Sequence, residues 1–362
     1  MTNDMKSYLK GLKTNFSYEK AVTIIMGNEA ADLDSMVSAV AYAWYLNLKD
    51  SSINPFPLIN IPRADFKLRT EAVYLFKEAG IDVDLLLFSE DVDLKKLDDI
   101  GNLSLILVDH NKIAVNQANY EHSIKEILDH HADEKNYPKN TLTDIRPVGS
   151  TTTIISELFI RNQKDKITQP LATLLVGTIL LDTVNLSKEA GRVTDDDISI
   201  VEEMQKVVKL NIAELFDKLQ FEKFNVSSLG SYDLLRKDYK EWQMGKLKCG
   251  IGAVLQPIED WIKKDPNVED ACAKFAKEKN LDVLFAMNAF TNPDFTRQLV
   301  LFVPNADLRE NTRQFLEKSN LGLTPIATGA SKAKVCLFYN QANLGISRKK
   351  LQPMLNDFFS EM

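Results

Sequence analysis

Residues 124–131 read IKEILDHH, a short strand from Ile124 that ends in Asp129-His130-His131. The chain has four histidines, and two of them are adjacent here. A third, His110, follows the apolar run LSLILV and Asp109 in the same way. Packing alone does not explain two strand ends that each finish in Asp-His. Carboxylates and imidazoles gathered at strand ends are the donor set of a divalent transition-metal site.

Working outward, residues 21–27, AVTIIMG, have the continuous apolar pattern of a buried parallel strand. Asn28-Glu29-Ala30-Ala31-Asp32-Leu33-Asp34-Ser35 follows, and MVSAVAYAWYL then has helical spacing. Asp34 or Ser35 is placed to cap that helix. Asp32, two residues before Asp34, makes a second reading of the pair: carboxylates at i and i+2 in a loop after a strand, facing the crevice where α/β sheets bind ligands. PFPLINI (55–61) is the next strand, RADFKLR opens a helix that continues as TEAVYLFKEAG with Gly80 past its end, and VDLLLF is a third strand. Apolar strands alternating with helices give a doubly wound, mostly parallel sheet.

Pro147-Val148-Gly149-Ser150-Thr151-Thr152 precedes the helix TTIISELFI. A Gly-Ser-Thr turn there offers backbone N–H groups and hydroxyls to an anion, although Ser and Thr are also ordinary caps. LATLLVGTILL runs straight into Asp182. An unpaired carboxylate after so apolar a turn is costly unless it faces a cation. From residue 193 the pattern turns amphipathic. The domain boundary is expected near 206–212, with residues 1–206 forming the first domain and 207–362 a smaller α/β domain with a mixed or antiparallel sheet, a hinge helix at about 207–224, and the active site in the cleft between the two. Two basic spots mark the second domain, around Arg236-Lys237-Asp238-Tyr239-Lys240 and Ser347-Arg348-Lys349-Lys350. Cations at a helix N-terminus oppose its dipole, so the second cluster suits an anion; the bland alternative is solvated surface.

The chain has 362 residues, enough for two cores, and a net charge of −7, which argues against nonspecific nucleic-acid binding. Cys249, Cys272 and Cys336 form neither a metal-ligand spacing nor a disulfide framework, which suits a reducing compartment. The N-terminus has the pattern of a small amphipathic helix without a signal core, and the longest apolar stretch is too short to span a bilayer. A cytoplasmic protein with no membrane partner is expected, with a monomer favoured.

Asp32 and Asp34, Asp109, His130 and His131, and Asp182 thus fall at four successive strand or helix ends. Such a set suits Mn²⁺, Mg²⁺ or Co²⁺, and the number of carboxylates suggests two ions acting on phosphorus. GNEAADLDS, LVDHN, DHH, PVGS and ILLDT, in this order and spacing, resemble the DHH phosphoesterase superfamily. DYKEW and SRKKLQP resemble the DHH-associated domain of its family II pyrophosphatase and exopolyphosphatase branch, so the likeness covers nearly the whole chain. The resemblance implies roles. Asp32 would bind the first metal and Asp34 the second, Asp109 would bridge them, and His130 and Asp182 would complete the second site. His131 would contact the phosphate and protonate the leaving oxygen, with Asp129 orienting the histidines. Ser150 with the Gly149 and Thr151 backbone would hold a phosphoryl oxygen. Lys240 and Arg348, with Lys349 as a further candidate, would reach the substrate when the domains close.

Asn28 departs from the family II pyrophosphatase pattern, which has a metal-binding histidine there. Its neutral carboxamide would be a weak ligand that favours Mg²⁺. The asparagine, together with Ile61-Pro62-Arg63-Ala64-Asp65 and Leu68-Arg69, resembles the eukaryotic-type cytosolic exopolyphosphatases and the prune proteins. Prune proteins typically alter the DHH triplet, which is intact here, and His110 resembles the pyrophosphatase version of its motif. The expected activity is removal of terminal phosphate from inorganic polyphosphate by a metal-activated water, with Arg63 and Arg69 as additional chain contacts. The alternatives are an inorganic pyrophosphatase, a short-chain polyphosphate or nucleotide phosphoesterase, and a prune-like regulatory binding protein.

Overall fold

The computed structural model describes residues 4–291, 293–327 and 334–362. They fall into two compact units, Met1–Lys223 and Phe224–Met362.

The first unit opens with α1 (Met5–Asn15), β1 (Val22–Met26), α2 (Leu33–Lys49), β2 (Pro55–Ile59), α3 (Arg63–Phe66), α4 (Thr70–Glu78) and β3 (Leu87–Phe88). It continues through α5 (Leu94–Asp99), β4 (Leu103–Val108), β5 (Ile124–Asp129), β6 (Leu142–Ile145), α6 (Thr151–Asn162), α7 (Gln169–Asp182), α8 (Asp195–Val207) and α9 (Ile212–Phe224). The six strands pair in parallel in the order β3-β2-β1-β4-β5-β6. The strand order reverses at β1 and β4, and the C-terminal ends of these two strands flank the crevice where such sheets bind ligands.

Buried strands need covering on both faces, and the helices supply it. From Leu33 to Leu46 every residue of α2 is buried, as is Leu171 to Leu181 of α7. This accounts for the apolar stretch before Asp182: it is a core helix, apolar all round. Among the described residues no helix is long and apolar enough to cross a membrane.

Three local details differ from the sequence reading. The helix expected from Arg63 onward breaks into α3 and α4, because Leu68 and Arg69 donate their amides three residues back, to Asp65 and Phe66, in tight turns. The third strand keeps only Leu87 and Phe88; Val83–Leu85 winds into a 3₁₀ turn capped by Asp82. The edge strand β6 was not anticipated. Leu142 and Thr143 are exposed, so its sequence carries no apolar run.

The second unit contains α10 (Ser231–Lys237), β7 (Tyr239–Met244), β8 (Leu247–Val254), α11 (Ile258–Lys264), α12 (Val268–Lys279), β9 (Val283–Thr291), β10 (Phe295–Phe302), α13 (Ala306–Lys318), β11 (Leu323–Pro325), β12 (Cys336–Gln341) and α14 (Arg348–Ser360). Its sheet, in the order β11-β12-β10-β9-β8-β7, is mixed: β8 and β9 are parallel and the other pairs antiparallel. Its own core includes Phe285, Leu299, Leu301, Leu351 and Phe359.

Candidate metal and phosphate site

The crevice beside β1 and β4 collects side chains from five chain segments. Asp32, Asp34, Asp109, His130 and Asp182 line one cavity of about 350 Å³ with His131 and Arg192. Asp32 is the observed cap of α2: its Oδ1 accepts the Ser35 amide at 3.1 Å. The expectation of Asp34 or Ser35 as the cap is therefore corrected. Asp34, the second residue of α2, is buried, and its Oδ2 accepts the Thr151 amide at 2.7 Å and its Oδ1 the Thr152 amide at 3.1 Å.

The phosphate cradle read from Gly149, Ser150 and Thr151 is corrected by the same bonds. The Thr151 amide is held by Asp34, and the Gly149 amide by both oxygens of Asp197 at 2.9 and 3.0 Å. The N-terminus of α6 does hold an anion, as its dipole favours, but that anion is the Asp34 carboxylate. Ser150 is fully buried; its hydroxyl pairs with that of Thr152 at 2.7 Å and lies close enough to Asp34 and Asp182 to favour their charged forms.

Asp109 sits at the centre with a left-handed backbone, φ +62°. Its Oδ2 accepts the Ser35 hydroxyl at 2.6 Å and the Asn28 Nδ2 at 2.9 Å, while its Oδ1 lies 3.3 Å from His130 Nε2. Asp109 Oδ1, on the His130 side, would be available to hold a metal, while Asn28 and Ser35 hold Oδ2. Asn28 itself is not placed as a ligand. Its Oδ1 accepts the Ala30 and Ala31 amides at 2.9 and 3.1 Å. Backbone N–H groups can only donate, so they determine which end of the carboxamide is oxygen. That oxygen is engaged by its own loop, and the weak-ligand expectation for Asn28 is corrected to a hydrogen-bond donor that positions Asp109.

The DHH triplet divides its tasks. His130 Nδ1 lies 3.0 Å from the Val148 carbonyl and must donate to it, which leaves Nε2 as the open donor atom toward Asp109 and, at 3.7 Å, Asp34. Asp129 is fully buried and accepts the His130 and His131 amides, His131 Nδ1 at 2.8 Å and Asn111 Nδ2. His131 is exposed, with Nδ1 held by Asp129. Asp109, His130 and His131 each place a ligand atom within 4.8 Å of the others.

Electrostatics make these carboxylates costly on their own. Burial pushes Asp34, Asp109 and Asp182 above the usual carboxylate range, and repulsion from Asp34 adds to the rise of the other two. Asp182 Oδ2 is enclosed and has no hydrogen-bond partner among the described residues. Buried acceptors are ordinarily satisfied. A divalent cation would satisfy this one and neutralise its neighbours, so the residues fit a metal held by Asp34, Asp109, His130 and Asp182, with Asp32 at the rim. Burial raises Asp129 as well, but the hydrogen bonds from His131 outweigh it and hold that carboxyl low; the same bond raises the His131 pKa.

Strained backbone gathers at the same place. Ala31 has φ +43°, and Val184, Asn185 and Leu186 follow one another at +52°, +57° and +58°. Such residues persist where surrounding structure over-determines them, typically at functional sites. The left-handed turn follows directly on Asp182 and Thr183.

Two contributors escaped the sequence reading. Asp197, the third residue of α8, also bonds the Thr194 amide and the Thr194 and Thr153 hydroxyls. The Thr194-x-x-Asp197 capping box was a local signal for a helix start, but nothing in it indicates the distant Gly149. Arg192 lines the cavity from a loop with no motif of its own.

The remaining basic residues are placed as follows. Arg63 is spent on structure: it bonds Asp91 at 2.6 Å and the Leu86 and Val83 carbonyls, and lies over the Phe88 ring. Arg69 donates to the Ala30 and Ala31 carbonyls and so pins the loop after β1. The expectation that these two arginines contact a substrate chain is corrected, because their guanidinium groups are already engaged. In the second unit Arg348, the first residue of α14, bonds the Asp238 carbonyl and carboxylate, both at 2.7 Å. This joins the start of α14 to the start of β7, where Lys240 is exposed; Lys349 is exposed next to Arg348.

Residues 22–179 match the N-terminal domain of the DHH family and residues 217–358 match the DHHA2 domain. Exopolyphosphatase PRUNE1 of Mus musculus is 34% identical over 98% of this chain and 79% of its own length. The manganese-dependent inorganic pyrophosphatase of Methanothrix thermoacetophila is 26% identical over 73% of this chain and 79% of its own length. A Methanococcus jannaschii protein, assigned provisionally to the family II inorganic pyrophosphatases, has the same fold: TM-score 0.50 and 20% identity, covering 93% of this chain and 99% of that one. With both domains matched in order, the DHH triplet intact at the end of β5 and a third of its residues shared with the PRUNE1 proteins, the chain belongs to the DHH family in its DHHA2-containing branch.

Proposed function

We propose that this protein is a metal-dependent exopolyphosphatase, a cytoplasmic monomer that hydrolyses the terminal anhydride of inorganic polyphosphate. The observation that carries the reaction class is the group of buried carboxylates around His130 with an unpartnered Asp182 oxygen. The choice of polyphosphate is supported by the likeness to the PRUNE1 exopolyphosphatases and by Asn28 standing where family II pyrophosphatases have a metal-binding histidine.

Asp34, Asp109, His130 and Asp182 would hold Mg²⁺ or Mn²⁺, with Asp32 available to a second ion. When bound, the metal supplies an acidified water and neutralises phosphoryl oxygens. The chain's own residues do the rest. Asp129 holds His131 by Nδ1 and raises its pKa, so His131 is suited to give a proton from Nε2 to the leaving phosphate oxygen as the terminal P–O bond breaks. Lys240 and Arg348, with Lys349, would balance the charge of the remaining phosphates. Arg348 is already oriented by Asp238.

The test is phosphate release from pyrophosphate, tripolyphosphate and long-chain polyphosphate, each with Mg²⁺ and with Mn²⁺. Cleavage of the two longer substrates in preference to pyrophosphate is expected. Pyrophosphate as the best substrate would replace this reading with the pyrophosphatase one, and no turnover under any condition would sink both. Arg63→Ala should lower stability by about 1–3 kcal/mol through its lost ion pair and carbonyl bonds. It should leave KM for polyphosphate unchanged. A raised KM with unchanged stability would return Arg63 to the substrate path.

A further inference from the structure

Resting on the exopolyphosphatase reading, we propose that Arg192 is a substrate-binding residue of the metal-bearing unit: it holds a phosphate of the chain that is not the one being removed.

Among the described residues Arg192 is the one arginine or lysine lining the cavity that contains Asp32, Asp34, Asp109 and Asp182. Its guanidinium makes no hydrogen bond or ion pair among the described residues, whereas Arg63, Arg69 and Arg146 of the same unit are all engaged. A surface arginine is commonly free because it is mobile and solvated. Arg192 differs in that its backbone is part of the site wall. Its carbonyl oxygen would lie 2.9 Å from a Cβ added at Gly149, so the two segments are in direct contact.

Anchors on both sides determine that placement. Upstream, the left-handed turn at Val184–Leu186 is bonded back to α7, Asn185 N–H to the Leu180 carbonyl and Leu186 N–H to the Thr183 hydroxyl. Gly191, at φ +66°, sets the direction into Arg192. Downstream, the Thr194 amide and hydroxyl bond Asp197, the same carboxylate that holds the Gly149 amide. The strained turn and the capping box thus deliver Arg192 to the crevice.

Depth assigns its partner. The carboxylates that fit a metal are buried, so the phosphoryl group being transferred must lie inside, against them. Arg192 is exposed at the mouth. A guanidinium there meets the phosphates that trail out of the cavity, and its planar fork matches two phosphate oxygens at once.

The experiment compares wild type, Arg192→Ala and Arg192→Lys, using tripolyphosphate and long-chain polyphosphate with Mg²⁺, and measures metal content in parallel. Arg192→Ala should raise KM about tenfold or more, as expected for a lost charge-assisted phosphate contact. The decrease in kcat should be much smaller, metal content unchanged, and the dependence of KM on salt shallower. Arg192→Lys should recover part of the loss, because it keeps the charge without the fork. An unchanged KM, or a loss that follows metal content, would overturn the assignment. Tripolyphosphate binding by calorimetry separates the two levels. If wild type binds tripolyphosphate without hydrolysing it, the exopolyphosphatase reading fails, and the Arg192 assignment stands if Arg192→Ala weakens binding and falls if it does not. If wild type does not bind it, both fail.

Discussion

Asp109→Asn should fold normally and lose about 10²–10³-fold or more in turnover, together with its stabilisation by divalent metal. The substitution is close to neutral for the metal-free protein. Its side-chain oxygen can keep the bonds from Asn28 and Ser35, and its new N–H₂ group would face His130 Nε2, 3.3 Å away and free to accept. It cannot serve as an anionic ligand, and it occupies the His130 donor atom as well. The linkage sign makes the effect measurable without turnover. Burial first, then repulsion from Asp34, pushes the folded pKa of Asp109 up to about 10. A carboxyl raised in this way contributes stability fully below its ordinary pKa of about 4, and that contribution declines as pH rises toward the folded value. Metal-free wild type should therefore be less stable at pH 8 than at pH 5, and Asp109→Asn should lose less over that interval. Mn²⁺ should raise the Tm of wild type at pH 8 and leave that of Asp109→Asn in place. Equal pH slopes in the two proteins, or an equal Mn²⁺ shift, would show that Asp109 is not the centre of the site.

Gly149→Ala should be among the most destabilising single substitutions in the first unit. A Cβ at this position would lie 2.4 Å from Thr183 Cγ2, 2.7 Å from Asp197 Oδ2 and 2.9 Å from the Arg192 carbonyl oxygen. Two of these neighbours belong to anchored segments. Asp197 is fully buried and engaged by four donor groups, and the Arg192 carbonyl is backbone. Relief therefore requires moving the Gly149 amide off Asp197. Overpacking costs about 1–3 kcal/mol, and a lost hydrogen bond to a buried charge about as much again. The urea midpoint should fall by the equivalent of about 3 kcal/mol or more at unchanged m. Turnover should fall even where the protein remains folded, since Ser150 next door packs against Asp34 and Asp182. A midpoint within about 0.5 kcal/mol of wild type would mean the three segments are not locked together.

The chain sequence carried the local facts. Strands β1 and β4 were legible as apolar runs, and α7 as an apolar helix, because burial on all sides writes a continuous hydrophobic pattern, whereas β5, with Lys125 and Glu126, was legible from the ILDHH that ends it. Asp109, His130 and Asp182 were legible because they stand at or just past the end of an apolar strand or helix, where packing gives no reason for a charged or imidazole side chain, and Asp34 because it stands two residues from Asp32 in the segment after β1. The second unit's mixed sheet was legible for the same reason, and edge strand β6, half exposed, was not.

Only tertiary structure decided how the groups are used. The amides of Gly149 and Thr151 look free in a local reading of the turn before α6, yet Asp197 and Asp34 take them from 48 and 117 residues away. Asn28 was legible as a departure from a ligand, but its change of role to a donor on Asp109 depends on which way its carboxamide turns. That is set by the Ala30 and Ala31 amides and by a carboxylate 81 residues distant. Arg63 and Arg69 are cations that found partners, and Arg192 is one that found none among the described residues. Which charge remains unpaired is a property of the folded neighbourhood, because hydrogen-bond and ion-pair partners are chosen by proximity in space and not by spacing along the chain.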